Sequence, residues 1–476
     1  MKTPYRHTRI ALAVAGVALA LGAGHAFGAA FGLAEQSGSG LGNAFAGGAA
    51  VAEDAATVWA NPAGMSRIPT MQAAAALHLI TPSIKFSNDG SVAALNQPLG
   101  HLGGDAGTNN IVPNMYFTVP INNQFFFGLG VSAPFGLVTD YGEGWIGRYQ
   151  GVTSDLKTVN VNPAIAWKIN DAFTLGVGVN YQRIDAKLTQ ATNYSAALIQ
   201  GATALANAGQ IPAALIPQIA AATGGLDGKG TIEGDDSAWG WNIGVLWNIN
   251  ERSRFGAHYR SSIKYNVAGN VTFNQPALPT NLPPALAPVI NTIAGLVNSS
   301  STFANGGVGL DIELPDKANV SYFAMLNDRW DIMADAQWTG WSSIPRFTVV
   351  RNNGTVLQDQ HWDYKDVWRF SVGTNYRLND QWMVRGGLAY DQTPTNDTDR
   401  SVRLPDSDRV WLSIGTQYKM SKNLKLDAGF TYIIGDGTTV DQFPNPTAAS
   451  VAQYGQVKGS YDASVTILSG QVTYSF

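Results

Sequence analysis

An all-β fold, a transmembrane antiparallel β-barrel of about fourteen strands plugged by a partly helical N-terminal hatch, is predicted by three observations. Charged residues make up only 13% of the 476 residues, against roughly 25% in an ordinary soluble domain. Beyond the first segment no uncharged apolar run reaches the roughly 20 residues that a helical span needs, so this apolar chain must meet lipid in another way. Several segments alternate apolar with small or polar residues at period two and are punctuated by short Asn/Asp turns, the pattern of barrel strands.

The segments follow in order. Lys2, Arg6 and Arg9, the uncharged core Ile10 to Gly24 and the small residues Ala26 and Gly28 predict a secretory signal peptide over residues 1–28. Its removal takes Lys+Arg from 30 to 27 against 34 Asp+Glu, a net charge of about −7 that excludes a nucleic-acid partner. Residues 29–68 do not alternate. Their glycine- and alanine-rich run is too small and too apolar for a domain of its own and is expected to form the hatch. Asn61, Pro62 and Ala63 read as an Asn N-cap followed by Pro at the first helical position. The glycines at 38, 40 and 42 follow no strand and lack the last glycine of a dinucleotide motif, so no cofactor is expected. The absence of cysteine and the scatter of six histidines likewise predict no metal.

Residues 69–476 are assigned to the barrel. Phe173 to Gln182, Val410 to Tyr418 and Leu424 to Tyr432 alternate cleanly, and Leu468, Val472, Tyr474 and Phe476 share one face of the last strand. Turns at Asn122-Asn123, Asn170-Asp171, Asn248 to Asn250, Asn327-Asp328, Asn379-Asp380 and Ser421 to Asn423 link seven two-strand units. Trp167, Trp247, Trp330 and Trp382 each lie beside a turn, as an interfacial aromatic girdle would. Long outer loops are expected at about 188–232 and 275–305. They are uncharged over residues 188–226 and 275–305, and water-facing loops without charge predict an apolar capture groove, with Leu198, Ile199, Leu205, Ile211, Leu215, Ile216, Leu286, Val289, Ile290 and Leu296 as contacts.

Strand parity turns His258, Arg260, Ser262 and Lys264 inward, and Tyr259, Ile263 and Tyr265 outward. The same count brings Lys317, Asn319, Arg369 and Arg385 into the lumen. The basic residues among these, His258, Arg260, Lys264, Lys317, Arg369 and Arg385, are candidates for holding an anionic head group. Asp331, Asp335, Asp391 and the hatch acids Glu35, Glu53 and Asp54 compete for them. Pro134, with Gly128 and Gly130 before it and Pro113 and Pro163 in the neighbouring strands, predicts weakened pairing and an opening in the wall.

Three stretches resemble the FadL family of outer-membrane transporters: SGSGLGNAFAGGAAVAEDAATVWANPAGMSRI (Ser37 to Ile68); APFGLVTDYGEGWIGRYQG (Ala133 to Gly151) with VNVNPAIAWKIND (Val159 to Asp171); and LPDKANVSYF (Leu314 to Phe323) with DAQWTGWS (Asp335 to Ser342). RSVRLPDSDRVWLSIG (Arg400 to Gly415) and the terminal Phe476 also fit. The resemblance implies a fourteen-stranded barrel of the bacterial outer membrane and passive, ligand-gated uptake. A hydrophobic molecule would pass from an outer groove to an interior pocket and leave sideways at a kinked third strand. It also implies insertion machinery that reads Phe476.

The expected cargo is a long-chain fatty acid, with neutral or aromatic hydrocarbons as the alternative and outer-membrane lipid as the expected surroundings. A hydrophilic porin is disfavoured by the hatch. A lipid hydrolase is disfavoured because His258 and Ser262, the one inward Ser/His pair found, would lie roughly 13 Å apart along a strand. A barrel closes its own edges, so a monomer is expected.

Overall fold

A computed structural model describes residues 29–442 and 446–476; the signal-peptide expectation lies outside them. Twenty extended segments merge into a closed antiparallel barrel of fourteen strands. These are β1 (Gln72–Asn88), β2 (Asn110–Pro120), β3 (Phe125–Ser132, resuming as Gly136–Asp140), β4 (Thr153–Lys168), β5 (Phe173–Asn193), β6 (Asp227–Asn248) and β7 (Ser253–Arg260, resuming as Ile263–Asn274). They continue with β8 (Gly306–Leu314 and Lys317–Met325), β9 (Trp330–Thr339 and Arg346–Arg351), β10 (Val356–His361 and Val367–Arg377), β11 (Trp382–Asp391), β12 (Arg409–Lys419), β13 (Leu424–Gly435, resuming as Thr438–Asp441) and β14 (Lys458–Ser475). Each pairs with its neighbour in sequence, and β14 closes on β1 from Gln72↔Ser475 to Asn88↔Gly459. Closure removes the free edges that lipid would not tolerate, apart from the place where β2 and β3 part.

Five of the six short turns are built alike. The Oδ1 of Asn122, Asn170, Asn250, Asn327 or Asn379 accepts from the amides two and three residues on. In the sixth, Ser421 Oγ does the same for Asn423 and Leu424. These side chains mimic a backbone turn and fix the register of both strands they join. An Asn379→Ala variant should lose roughly 1 kcal/mol, read as a small downward step in the urea midpoint of the gel-mobility shift of the folded barrel. Trp167, Trp247, Trp330 and Trp382 all face outward beside these turns, and Trp247 lies between Phe173 and Phe255, stacked on both.

Alternation places the side chains as parity requires in β5, where Thr174, Asn180 and Gln182 are buried inward and Val177, Val179 and Tyr181 are exposed. In β7 it does not. The strand breaks at Ser261 and Ser262, and the irregularity advances parity by one residue. Ile263 and Tyr265 therefore turn inward and are buried, and Lys264 turns out to pair with Glu313 at 3.3 Å. The 188–232 loop is also shorter than expected. β5 and β6 stay paired up to Asn193↔Asp227, a hairpin whose outer face carries the Lys187–Glu233 ion pair, so the loop proper is 194–226.

Residues 29–68 fold inside the barrel as three single-turn helices, α1 (Gly38–Leu41), α2 (Gly48–Val51) and α3 (Thr57–Ala60), and a 3-10 turn over Pro62–Arg67. Inward glycines of the wall make room for them. A Cβ on Gly176 would strike Ala63, one on Gly244 the Asn61 amide, one on Gly256 the Ala49 carbonyl and one on Gly387 Asn43. The hatch thus touches wall backbone where larger residues would hold it away.

Candidate functional site

Between the hatch and the barrel wall the lumen holds a cavity of about 150 Å³. One side is hatch, including Leu33, Phe45, Ala46, Val51 and Trp59; the other is barrel wall, including His258, Arg260, Lys317, Asn319, Arg369 and Asp391. The sequence-predicted head-group residues divide here into three classes. Lys317 and Arg369 line the cavity and make no ion pair among the described residues: the Lys317 Nζ lies 4.7 Å from the centre of the Phe135 ring, and the Arg369 guanidinium lies 5.8 Å from Phe45 and from Trp411. Arg369 also leaves Nε and Nη1 without hydrogen bonds. Arg260 lines the cavity but is partly engaged, bonded to Asn180 and to the Trp59 carbonyl and stacked over the Trp59 ring at 3.7 Å. His258 sits beside it, 3.3 Å from the Asn242 amide.

Arg385 and Lys264 are not cavity groups. Arg385 is bound by Glu53 of the hatch at 2.7 Å and by Asp427 of β13 at 3.0 Å. A buried cation so paired is a hatch anchor, and breaking one side would strand the other. Lys264 lies on the outer face for the parity reason given above. Ser262 donates to Glu313 at 2.6 Å and makes no contact with His258. A buried Ser/His contact that parity did not reveal joins His78 Nδ1 to Ser469 Oγ across the β1–β14 seam at 2.5 Å, but neither residue lines the cavity.

Asn61 carries out the cap read from sequence and more. Its Oδ1 accepts from the Ala63 amide at 3.0 Å, and its Nδ2 donates to the Ala49 and Val245 carbonyls at 2.8 and 2.9 Å. One buried side chain therefore ties two hatch turns to β6. Sequence reasoning missed Arg254, which donates to the carbonyls of Ala50 and Val51 at the end of α2 and lies over Phe323 at 4.0 Å. Its parity was legible; its partner, a helix end, was not.

The wall is interrupted at β3. β2 and β3 pair from Pro120↔Phe126 to Met115↔Val131 and no further, and beyond Pro134 the segment Gly136–Asp140 pairs with β4 alone. On its other side it takes the hatch: Leu33 N donates to the Pro134 carbonyl and Gly136 N to the Phe31 carbonyl, both at 2.9 Å. Phe31, Phe135 and Trp341 close over this junction with ring centres 4.9 to 6.1 Å apart. The other predicted weak points do not contribute. Gly128 and Gly130 lie below the break, fully in register; Gly128 makes room for Val58 and Met65 of the hatch and Gly130 for the Tyr116 ring of β2. Pro113 keeps its place opposite Leu77, and the carbonyl of Val179, facing Pro163, is satisfied by the Asn162 side chain at 2.9 Å.

At the outer end α4 (Tyr194–Asn207), α5 (Ile216–Ala222) and α6 (Ala287–Asn298) pack on one another. Leu198, Leu286 and Ile290 are buried in that packing and face no groove, because apolar helix faces bury against each other before they face water. Leu205, Ile211, Leu215, Ile216 and Val289 are half-buried around the same core, Ile199 is half-buried and Leu296 is exposed. The β11–β12 connection, by contrast, turns inward as a second stopper. Arg403 is buried and donates to Thr153, Ser154, Thr189 and Gln190, and burial lowers its guanidinium to about 10. In the same connection Asp406 Oδ2 accepts from the Ala30 amide at 2.8 Å.

The family model described as "Outer membrane protein transport protein (OMPP1/FadL/TodX)" matches residues 19–476. A long-chain fatty acid transport protein of Escherichia coli (strain K12) is 32% identical over 453 residues, covering 92% of this chain and 94% of the relative. Outer membrane protein P1 of Haemophilus influenzae is 30% identical over 436 residues, 88% of each. Among solved structures, a Pseudomonas aeruginosa FadL homologue superposes with a TM-score of 0.79 at 25% identity, over 94% of this chain and 100% of that one. The Ralstonia pickettii toluene transporter TbuX superposes with a TM-score of 0.60 at 18% identity, over 95% and 99%, a likeness of fold alone.

Proposed function

Because the chain belongs to the OMPP1/FadL/TodX family and is therefore an outer-membrane transport protein and not an enzyme, we propose that it takes up long-chain fatty acids. The observation that carries this reading is the cavity in which the hatch side chains Leu33, Phe45, Val51 and Trp59 face Lys317 and Arg369, two cations without an ion pair among the described residues. An acyl chain is favoured against the first by the hydrophobic effect. A carboxylate is held by the second, by Arg369 through two parallel hydrogen bonds.

The route is entry over the apolar outer helices, residence in the cavity and exit into lipid beside β3 where pairing with β2 ends. The names of the curated relatives favour a fatty acid. The toluene transporters with the same fold keep neutral hydrocarbons as the second reading. The closed ladder needs no second copy to satisfy its backbone, and the exposed Phe476, packed on Tyr474 at 4.9 Å, is available to insertion machinery.

Competition on purified protein tests the substrate. A labelled long-chain acid should be displaced at least tenfold better by unlabelled acid than by its methyl ester or a monoaromatic hydrocarbon, about 1.4 kcal/mol from the head group. Arg369→Met should remove that preference while leaving ester binding unchanged. Equal competition by all three would replace the fatty acid with a neutral hydrocarbon.

A further inference from the structure

The wall also parts between β8 and β9. Their lower halves are in register from Met325↔Asp331 to Lys317↔Thr339, and their outer ends pair at Val308↔Arg351 and Gly309↔Val350 alone. Between these anchors β8 runs eight residues, from Gly309 to Lys317, while β9 runs eleven, from Thr339 to Val350. A ladder matches one residue with one, so the surplus on β9 has to leave it. It leaves at the 3-10 turn Trp341–Ser343, and the strands stand apart above that turn, with Ser343 Oγ reaching across to the Glu313 carbonyl at 2.9 Å. A cavity of about 820 Å³ fills the opening, within the roughly 300–1,000 Å³ of small-molecule sites. Its lining shows that it passes through the wall. Outward-facing Lys264, Asn266, Asp311 and Thr348 border it together with inward-facing Tyr265 and Ile312, whereas successive side chains of an intact strand are kept on opposite sides of the sheet.

The inner end lies close to the hatch cavity. Trp341 at the start of the 3-10 turn lines that cavity, and Ser343, Ile344 and Pro345 at its end line the opening, so one turn of chain divides the two. Just below, Trp338 opposite Trp368 and Trp241 against Tyr259 at 5.4 Å mark the outer aromatic interface. The opening therefore sits at the level of the lipid head groups, where a bare strand edge meets water and not hydrocarbon. We propose that it is a second binding site and side entrance, taking a single-chain lipid from the outer leaflet with the chain directed inward past Tyr265, Ile312 and Ile344 and the head group left at the rim. The rim does not select the charge of that head group. Lys264 is engaged by Glu313 at 3.3 Å, Arg346 by Asp359 at 2.9 Å, and Asn266 by Asp311 at 2.8 Å. Exposed pairs of this kind rearrange at little cost around a hydroxyl or a carboxylate. The inference is independent of the head-group reading above and needs only a hydrophobic cargo, which it admits from the membrane without passage over the outer helices.

Photolabelling of the full chain in lipid bilayers tests it, with a long-chain fatty acid and the matching fatty alcohol, each carrying a diazirine at the chain end and delivered from the bilayer. Both probes should label the segments holding Tyr265, Ile312 and Ile344 to a similar extent. Thr348→Cys supplies the one cysteine of the chain. A bulky maleimide dye on it should cut this labelling severalfold and should also cut labelling of Phe45 and Trp59 in the hatch cavity, while a small methanethiosulfonate should change neither, which shows that the variant is folded. Labelling of the hatch cavity with none at the opening overturns this inference and leaves the proposed uptake standing; labelling at neither place overturns both. Hatch labelling that survives the bulky dye overturns the entrance, and equal labelling of the opening by a two-chain phospholipid makes it a seat for bulk lipid and overturns it as well.

Discussion

Oxidising a Gly32→Cys/Phe135→Cys variant should stop uptake almost completely, and a reductant should restore it. Gly32 and Phe135 face each other as antiparallel partners, flanked by the Leu33–Pro134 and Phe31–Gly136 hydrogen bonds. They are therefore a non-hydrogen-bonded pair, whose Cα atoms in such ladders lie roughly 4.5 Å apart, within disulfide range. A Cβ on Gly32 meets nothing nearer than 3.4 Å. The chain has no other cysteine, so no mispairing can confuse the result. Uptake of a labelled long-chain acid into cells expressing the variant, with and without reductant, gives the answer. Ten-fold or greater loss under oxidation supports exit past the hatch–β3 junction. Unchanged uptake would move the exit elsewhere in the barrel.

The second large effect should come from unseating the hatch. Gly244→Val places two methyl groups where Asn61 touches β6, and overpacking of this kind costs about 1–3 kcal/mol. Asn61→Ala leaves the buried Ala49 and Val245 carbonyls without their donor, on the order of 1–3 kcal/mol for each. The wall has its own ladder, closed at the β1–β14 seam, so both variants should still assemble while the hatch loosens. Planar-bilayer recordings should then show ligand-independent conductance absent from the wild type. Variants as tight as the wild type would mean that the hatch is held by its ion pairs, Arg385–Glu53 first among them.

The barrel was legible because its strands report their own geometry: Phe173 to Gln182 alternates residue by residue, and each Asn turn carries its register in one side chain. What failed was whatever depended on a break in that geometry. Lys264 was misplaced because parity counting assumes an uninterrupted strand, and the irregularity at Ser261 and Ser262 leaves no compositional mark. Pro134 was legible as a break since proline cannot donate, whereas Pro163 was not recognisable as repaired, because its repair comes from the side chain of Asn162. Apolar loop residues announce burial but not the surface against which they bury, so Leu198 and Ile290 could be read as groove when they are helix core. Arg369 and Arg385 have the same parity and the same chemistry. The positions of Glu53, more than 300 residues earlier in the chain, and of Asp427 separate an anchored cation from one without an ion pair among the described residues.

The β1–β14 seam also bears on the order in which the molecule can be made. Gln471 of β14 accepts from the Gly38 amide at 2.9 Å and donates to Asp54 at 2.7 Å, so the last strand grips the first folded turns of the chain. The hatch rests on wall glycines on several sides. For the Gln471 bonds to form as the final strand docks, the N-terminal segment has to lie against the curved sheet at that moment, so that closure of the seam encloses it. A chain whose hatch is late would close empty, leaving a hole in the membrane it was built to guard.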